Sequence, residues 1–250
     1  MPLQGASTSL RESLARFGLP KVYGLRIHDP NDNPERPDGV DEVGVALGVG
    51  GMLERLREMR RSGTIERVSL GMNSNVVNPG TTVPGFALPP SLTHGVPAEI
   101  VRVIRGAPAG TFDEALLAGG WTLLDHTGLD ALVECQKHGV KVAIAGIFNS
   151  GLLVGGTTFA YQEADSEQKK AAQRWRELAS QHGLSLPAVA IAFAYLPTIV
   201  ESVVIGMASA DEVQKNVAAV EESRKVPAAL WYEARSRGLL GPEVPLPPRA

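Results

Sequence analysis

Polar and aromatic side chains follow several apolar stretches of this sequence at the points where those stretches stop. The run "VYGLRI" leads into His28 and Asp29, and the proline that follows them prevents a central strand from continuing. Further such residues are Asn73 after "RVSLGM", Trp121 after "DEALLAGG" and the segment "FNSG" at 148–151 after "VKVAIAGI". An imidazole at a strand end can orient a bound carbonyl or exchange a proton with it. The spacing therefore predicts a site where these strand ends meet.

Each of these residues also has a purely structural interpretation. His28 could be a turn histidine whose ring bonds to the loop after it, and Asn73 could be a turn former at a strand end. Trp121 and Phe148 could be core aromatics, which is the more common position of large apolar side chains. The residues alone leave both interpretations open.

Other suggestive spacings are weaker. The stretch Gly48–Gly51 lacks the third glycine of a dinucleotide-binding loop and has no apolar strand directly before it, which favours the start of a helix. Asp125 and His126 are neighbours in the chain, where side chains rarely point at one another, so we interpret them as part of a surface loop. Lys141 begins its strand, at the wrong end for a Schiff-base lysine.

Composition disfavours several classes of function. The 250 residues are 44% hydrophobic and 20% charged, as in ordinary globular proteins, and the net charge of −3 provides no basic surface for nucleic acid. The longest apolar run, Val189–Leu196, is far short of the roughly 20 residues that cross a membrane. The first residues lack the pattern of a signal peptide, and the single cysteine, Cys135, is predicted to be inert within a helix. We therefore expect a cytoplasmic protein.

Strand and helix patterns alternate along the chain. Five apolar stretches read as strands that are buried on both faces, and each is followed by an amphipathic helix, which predicts a parallel sheet covered by helices. In such folds the ligand site lies at the carboxyl ends of the strands. A complete (β/α)₈ barrel of the TIM type needs eight strands. We therefore expect an incomplete barrel or an open sheet over residues 1–241, followed by a loose, Pro-rich tail at 242–250.

Local signals define the expected helix ends. Ser9 and Ser209 are each followed three residues later by glutamate, which is the pattern of a capping box. Pro187 is expected in the first turn of a helix. In the helix "GLDALVECQKHG", periodicity directs Val133 inward together with two leucines.

Four longer blocks carry a resemblance to a known family. They are "SLRESLARFGLPKVYGLRIHDP", "GGMLERLREMRRSGTIERVSLGMN", "AGGWTLLDHTGLDALVECQKHGVKVAIAGIFNSGLLVGG" and "VVIGMASADEVQKNVAAV". In order and spacing they resemble the aldo-keto reductases, and most closely the branch of aldose 1-dehydrogenases that oxidise D-threo-aldoses, L-fucose or L-galactose.

The resemblance implies a (β/α)₈ barrel that binds a nicotinamide cofactor across its strand ends and transfers hydride between nicotinamide and a sugar or other carbonyl substrate. In that family a tyrosine is the general acid and base, an aspartate and a lysine lower its pKa, and a histidine orients the substrate oxygen. His28 matches that histidine. The implied cofactor positions are Asn73 at the carboxamide, Phe148 stacked on the nicotinamide, Ser150 and Leu152 on the pyrophosphate side, and Gly206, Ser209 and Asn216 in the adenosine-phosphate loop.

The sequence also departs from the family. The blocks that hold the aspartate, tyrosine and lysine have no counterpart in it, and no tyrosine here matches the catalytic one; the tyrosines are Tyr23, Tyr161, Tyr195 and Tyr232. Ala118 stands where many relatives have a glutamine. Ala208 and Glu212 replace positions that are often basic, which favours NAD over NADP because a carboxylate repels a 2′-phosphate.

Two hypotheses follow from these departures. In the first, the sequence is part of an NAD-dependent aldose dehydrogenase and has impaired turnover by itself. In the second, it is an inactive barrel fragment that binds a nucleotide or a partner. Open sheet edges would then favour self-association. The insertion from Asn75 to Val96 is interpreted as a lid or a partner surface.

Overall fold

The computed structural model describes residues 3–30, 42–73, 96–160 and 162–248. Of the insertion from Asn75 to Val96, only Val96 falls within these ranges, and Tyr161 falls outside them. For residues 3, 4, 42, 73 and 96–98 the structure describes the backbone alone.

Helices and strands alternate along the described chain. The strands are β1 (Gly24–His28), β2 (Arg67–Asn73), β3 (Glu114–Ala118), β4 (Lys141–Ala145), β5 (Thr158–Phe159), β6 (Gln162–Glu163) and β7 (Val200–Val204). The α-helices are α1 (Leu3–Phe17), α2 (Glu42–Leu47), α3 (Met52–Arg61), α4 (Val96–Gly106), α5 (Leu129–Lys137), α6 (Ser166–Gln181), α7 (Leu186–Ala194), α8 (Ala210–Ser223) and α9 (Ala228–Ser236), and a 3₁₀ helix spans Asn149–Val154.

Five strands form one parallel sheet in the order β1-β2-β3-β4-β7, and β5 pairs with β6 as a small antiparallel hairpin. Among the described residues the sheet is open, with β1 and β7 at its edges. The prediction of an α/β fold with about five of the eight strands of a barrel is confirmed.

The two faces of the sheet differ more than the sequence suggested. The outer face lies beneath the helices and is apolar; on β2 it consists of Val68, Leu70 and Met72, which are fully buried. The inner face carries Arg26, Ser69 and Glu114, which bond to one another. The expectation of strands that are apolar on both faces is therefore wrong for β1, β2 and β3. Polar side chains are tolerated on their inner face because they form hydrogen bonds with one another.

Three helix starts lie where the neighbouring residues in the sequence predicted them, and one does not. The Ser209 side chain caps α8 by accepting the N–H of Glu212 at 3.2 Å, and Pro187 lies in the first turn of α7. Gly51 precedes α3, as predicted for a helix start. Ser9, in contrast, lies inside α1, which begins at Leu3, so the predicted capping box is wrong there.

Two further predictions, for Val133 and for the tail, are wrong because contacts with other elements determine the structure there. Val133 on α5 is 41% exposed, so its predicted inward direction is wrong, whereas its neighbour Leu132 is buried. The described part of the tail is not loose: Val244 is 1% exposed, and the Tyr232 hydroxyl donates to the Pro247 carbonyl at 2.9 Å. The tail therefore packs against α9.

An apolar cavity of about 570 Å³ opens beside the β7 edge, between α7, α8 and α9; its lining includes Ile191, Val203, Ile205, Val220 and Trp231. Nearby, Val213 and Val217 of α8 are 44% and 57% exposed. The expected self-association through sheet edges stays a prediction. Within the described ranges, the helices are all too short or too polar to traverse a bilayer.

The capping box of α6 was not predicted and provides a test of the helix assignments. Asp165 accepts the N–H of Gln168 at 2.8 Å, and Gln168 returns the bond to the Asp165 N–H at 2.9 Å. We expect Asp165→Ala to lower the free energy of unfolding by about 1 kcal/mol, measured by urea denaturation. Glu167→Gln, which removes an exposed charge of the same first turn that pairs with Lys170, is the control and should change stability less. Equal effects of the two variants would contradict the capping role.

Candidate active site at the carboxyl ends of the parallel strands

His28 is the last residue of β1, and its imidazole lies on the inner face of the sheet. Nδ1 is 2.8 Å from Oδ2 of Asp29, and the His28 side chain is 46% exposed whereas that of Asp29 is 15% exposed. Asp29 has a positive φ of 42°, and its N–H donates to the Gly71 carbonyl at 2.8 Å. The backbone turn therefore directs the carboxylate back toward the ring.

A polar layer lies next to His28, toward the amino ends of the strands. Arg26 donates to the Ser69 hydroxyl at 2.9 Å and forms an ion pair with Glu114. Gly71 lies between this layer and the imidazole. A Cβ there would lie 2.4 Å from Cδ of Arg26 and 3.1 Å from Cδ2 of His28. The missing side chain of Gly71 is therefore what allows both side chains to occupy the inner face.

Toward the carboxyl ends, Leu116 lies in register with Gly71 on the inner face, and one further row of residues follows. Asn73, Ala118 and Ala145 lie side by side in the register of β2, β3 and β4. Asn73 ends β2 as predicted, but its side chain lies outside the description, so its assigned contact with a carboxamide stays a prediction. Gly119 donates its N–H to the Ala145 carbonyl at 3.0 Å, which joins the ends of β3 and β4. Ala118 and Ala145 therefore contribute only methyl groups to this last row of the inner face.

The loop after β4 holds three of the predicted cofactor residues. Phe148 is half-buried against the core, Ser150 has a positive φ of 55°, and Leu152 is only 4% exposed. Asn149, which the sequence reasoning did not select, is 7% exposed, and its Oδ1 has no hydrogen-bond partner within the described part of the chain. A buried acceptor of this kind is a candidate ligand contact. The only sequence signal for it was its position in "FNSG".

The loop after β7 holds the remaining predicted cofactor residues. Gly206 is exposed and Asn216 is half-buried on α8, while Ser209 is engaged as the helix cap. Glu212 accepts the N–H of Ala208 at 2.7 Å. Two backbone donors that an anion would use are thus bonded within the chain, and the first turn of α8 is negatively charged. This arrangement disfavours the binding of an additional phosphate group, such as a 2′-phosphate, at the amino-terminal end of α8.

Trp121 and His126 form an aromatic cluster with Phe193 of α7. The Trp121 ring stacks on Phe193 with 4.8 Å between centroids, and His126 lies 5.3 Å from Phe193. Trp121 is fully buried, which confirms the interpretation as a core aromatic. The surface-loop interpretation is wrong for His126, because its ring packs on α7 and its Nε2 is buried without a partner in the described residues. Burial lowers the pKa of His126.

Other reactive side chains lie away from the strand ends. Burial raises the pKa of the Cys135 thiol to about 12, which agrees with the prediction of an inert cysteine. Lys141 is at the amino end of β4, as expected. The tyrosines within the described ranges lie before β1 (Tyr23), at the end of α7 (Tyr195) and on α9 (Tyr232), none of them at the strand ends. No cluster of three potential metal ligands occurs within these ranges.

The space at Gly71 can be tested directly. We expect Gly71→Ala to destabilise the fold by about 1–3 kcal/mol and to shift the NMR signals of the His28 ring, because a methyl group would overlap Arg26 and His28. Gly106→Ala is the matched control, since a Cβ there meets no atom within 4 Å. His28 signals that are unchanged in Gly71→Ala would contradict the contact.

The buried His126 ring predicts a pH dependence of stability. Its pKa is lowered in the folded protein, so the unfolded chain binds a proton at higher pH than the folded chain does. Stability should therefore fall as the pH decreases below about 6.5, the usual histidine value. His126→Phe should reduce the slope of the unfolding midpoint against pH between 7.5 and 5.5, measured by urea denaturation. Identical slopes for the two proteins would contradict this role.

Comparison with known proteins finds relatives of this chain. Residues 109–228 match the model of the Aldo/keto reductase family. The chain is 29% identical over 242 residues to pyridoxal 4-dehydrogenase from Microbacterium luteolum, covering 94% of this chain and 62% of that protein. It is 26% identical over 243 residues to D-threo-aldose 1-dehydrogenase from a Pseudomonas species, covering 95% and 63%. The chain thus spans less than two thirds of the length of either relative.

Solved structures of other proteins have a fold similar to that of this chain. Glycerol dehydrogenase from Gluconobacter oxydans superposes with a TM-score of 0.62 at 16% identity, covering 99% of this chain and 67% of that one. An aldo-keto reductase from Bacillus halodurans gives a TM-score of 0.56 at 16% identity, with 89% and 66% covered. The family match and the two relatives that align along nearly the whole sequence show that this chain is similar to the aldo/keto reductase family.

Proposed function

We propose that the protein is an oxidoreductase that transfers hydride between a nicotinamide nucleotide and the aldehyde or cyclic hemiacetal carbon of a small hydroxylated substrate such as an aldose. The observation that carries this proposal is the position of His28, an imidazole at the carboxyl end of β1, close to the Asp29 carboxylate and beside Gly71 of β2. The relatives support it, since their names describe dehydrogenases of pyridoxal and of D-threo-aldoses.

The inner face fits the nicotinamide end of such a nucleotide. Ala118 and Ala145 leave space at the strand ends, and the unpartnered Oδ1 of Asn149 is an acceptor beside it. The nucleotide supplies the hydride acceptor when bound. Asn73 and Phe148 would hold its nicotinamide end, and Ser150 and Leu152 would lie on its pyrophosphate side.

The adenosine end would lie at Gly206, Ser209 and Asn216, near the start of α8. Asp211 and Glu212 make this region negative. A 2′-phosphate would be repelled by these carboxylates, whereas a 2′-hydroxyl would not. NAD is therefore the proposed cofactor.

A second candidate function is nucleotide binding without efficient turnover. It is favoured by the position of the described tyrosines, none of which lies beside His28. A general acid contributes roughly 10²–10⁴ in rate, so a site without the family's tyrosine would be slow.

Nucleotide preference tests the proposal first. In fluorescence titrations we expect the 250-residue chain to bind NADH about fivefold more tightly than NADPH, the equivalent of about 1 kcal/mol for one like-charge contact. Glu212→Gln should reduce this ratio, because glutamine keeps an oxygen for the Ala208 N–H but removes the charge. Lys215→Gln is the control and should not reduce the ratio. Tighter binding of NADPH, or no binding of either nucleotide, would contradict the proposal.

A measurement of turnover distinguishes an oxidoreductase from a protein that only binds the nucleotide. With NAD and D-arabinose, L-fucose, L-galactose or pyridoxal, we expect a low rate from the 250-residue chain, measured as NADH formation. A substantial rate that decreases at least tenfold in His28→Ala would instead show that the described residues suffice for catalysis. In that variant nucleotide affinity should remain unchanged.

A further inference from the structure

The outer face of the sheet ends at β7 in an apolar surface that the described part of the chain leaves open. Strand register places Val203 beside Ile144, which is fully buried under the helices, so Val203 and the following Ile205 lie on the outer face. There they line the cavity of about 570 Å³ together with Trp231 of α9. At the opposite edge of the sheet, Ile27 of β1 lies on the same face and is 1% exposed. The outer face is therefore closed at β1 and open at β7.

Helix α8 continues this apolar surface. Val213, Val217 and Val220 follow one another at i, i+4 and i+7, so they lie on one side of the helix. Val220 lines the cavity, whereas Val213 and Val217 are exposed. Of the residues of α8, Ala219 alone is buried. The helix thus presents an apolar stripe to its surroundings, although a surface helix normally directs such a stripe toward the core.

The backbone of β7 is open at the same place. Within the described sheet β7 pairs with β4 alone, so alternate N–H and C=O groups along its outer edge have no strand partner there. The register with β4 is irregular near Glu201, which leaves residues 202–204 as the regular part of the edge. These three residues include neither a charge nor a proline, the features that commonly keep edge strands apart.

Charged residues of β7 and α8 are paired within the chain. Glu201 forms an ion pair with Arg67 at 2.8 Å, and Lys215 forms one with Asp211 at 2.6 Å. A twofold interface places each residue near its own counterpart, so unpaired charges would meet like charges there. Ion pairs within each copy reduce that repulsion.

The size of the surface fits a pair of copies. Val204 and Met207 are each 49% exposed, similar to the two exposed valines of α8. Together with the walls of the cavity, such side chains provide on the order of 500 Å² per copy, so two copies would bury about 1,000 Å², the lower limit of a specific interface. The surface needs a partner with an extended edge and an apolar outer face. Strand β7 has both, so the surface is complementary to itself.

We propose that a second copy of this chain covers this surface in a twofold dimer, in which the β7 strands of the two copies pair antiparallel. Such pairing keeps both outer faces on the same side of the joined sheet, so Val203 and Ile205 of each copy lie toward the cavity of the other. The α8 stripes then meet near the axis. The twofold axis closes the assembly at two copies, whereas pairing of β7 with β1 of the next copy is head-to-tail and allows further growth. The proposal is independent of the proposed oxidoreductase function, whose substrate would lie on the inner face.

Sedimentation equilibrium of the 250-residue chain at micromolar concentrations tests the proposal. We expect twice the 26.5 kDa mass of a single chain. Val213→Lys and Val217→Lys should each raise the dissociation constant of the dimer at least roughly tenfold, because a charge would be buried in an apolar interface. Val133→Lys is the matched control, since Val133 is a similarly exposed valine on α5, which packs on α4 and β4. It should change the dissociation constant by less than about twofold.

Hydrogen exchange identifies the surface that pairs. In the parent protein we expect the amide protons of residues 202–204 to exchange more slowly as the protein concentration rises, and those of β1 to be independent of concentration. The slowing should be absent in Val217→Lys. Each lysine variant is used only if its circular dichroism spectrum equals that of the parent protein. The concentration dependence of the parent protein tests the proposal even if neither variant folds.

Three results would overturn the proposal: the mass of a single chain throughout, a dimer that persists in both lysine variants, or exchange at residues 202–204 that is independent of concentration. Equal weakening by Val133→Lys would also contradict it, because the effect would then not be specific to α8. Masses above that of a dimer, increasing with concentration, would indicate head-to-tail pairing and refute the twofold arrangement.

Discussion

Strand β2 is covered by helices on one face, and this burial determines which residues can serve the site. Val68, Leu70 and Met72 are fully buried beneath α3 and α4. Since side chains alternate along a strand, Ser69 and Gly71 must then lie on the inner face. A shift of one residue would expose three large apolar side chains, at a cost of about 1.5–3 kcal/mol each. The register that places Gly71 beside His28 therefore depends on the core behind it.

The inner face changes in character from the amino to the carboxyl ends of the strands. Arg26, Ser69 and Glu114 form a layer whose charges and hydroxyl group satisfy each other, as partly buried charges must. Beyond that layer the inner face carries Gly71 and Leu116 in one row and Ala118 and Ala145 in the next. His28 lies at the boundary between the two regions. It therefore combines a fixed position with access to the open end of the sheet.

Features that depend on neighbouring residues were predictable from the sequence, whereas contacts between distant elements were not. The five strands followed from apolar runs, and the start of α8 followed from Ser209, because a cap needs only the next three residues. His126 was misplaced because its ring packs on Phe193, which belongs to another helix. Val133 was misplaced because periodicity gives the apolar stripe of a helix but not its width. Likewise, nothing local in the sequence showed that the small size of Gly71 makes room for His28.

The two ends of the proposed site are stabilised by different means, and this difference determines how easily each can change. His28 depends at once on the register of β1 with β2, on the close contact with Asp29 and on the space at Gly71. The start of α8 is exposed and depends mainly on its own cap, so its charges can be replaced with little effect on the core. Preference for a nucleotide should therefore vary more readily among related proteins than the geometry around the imidazole. A change of the geometry around His28 would require coordinated changes in two strands.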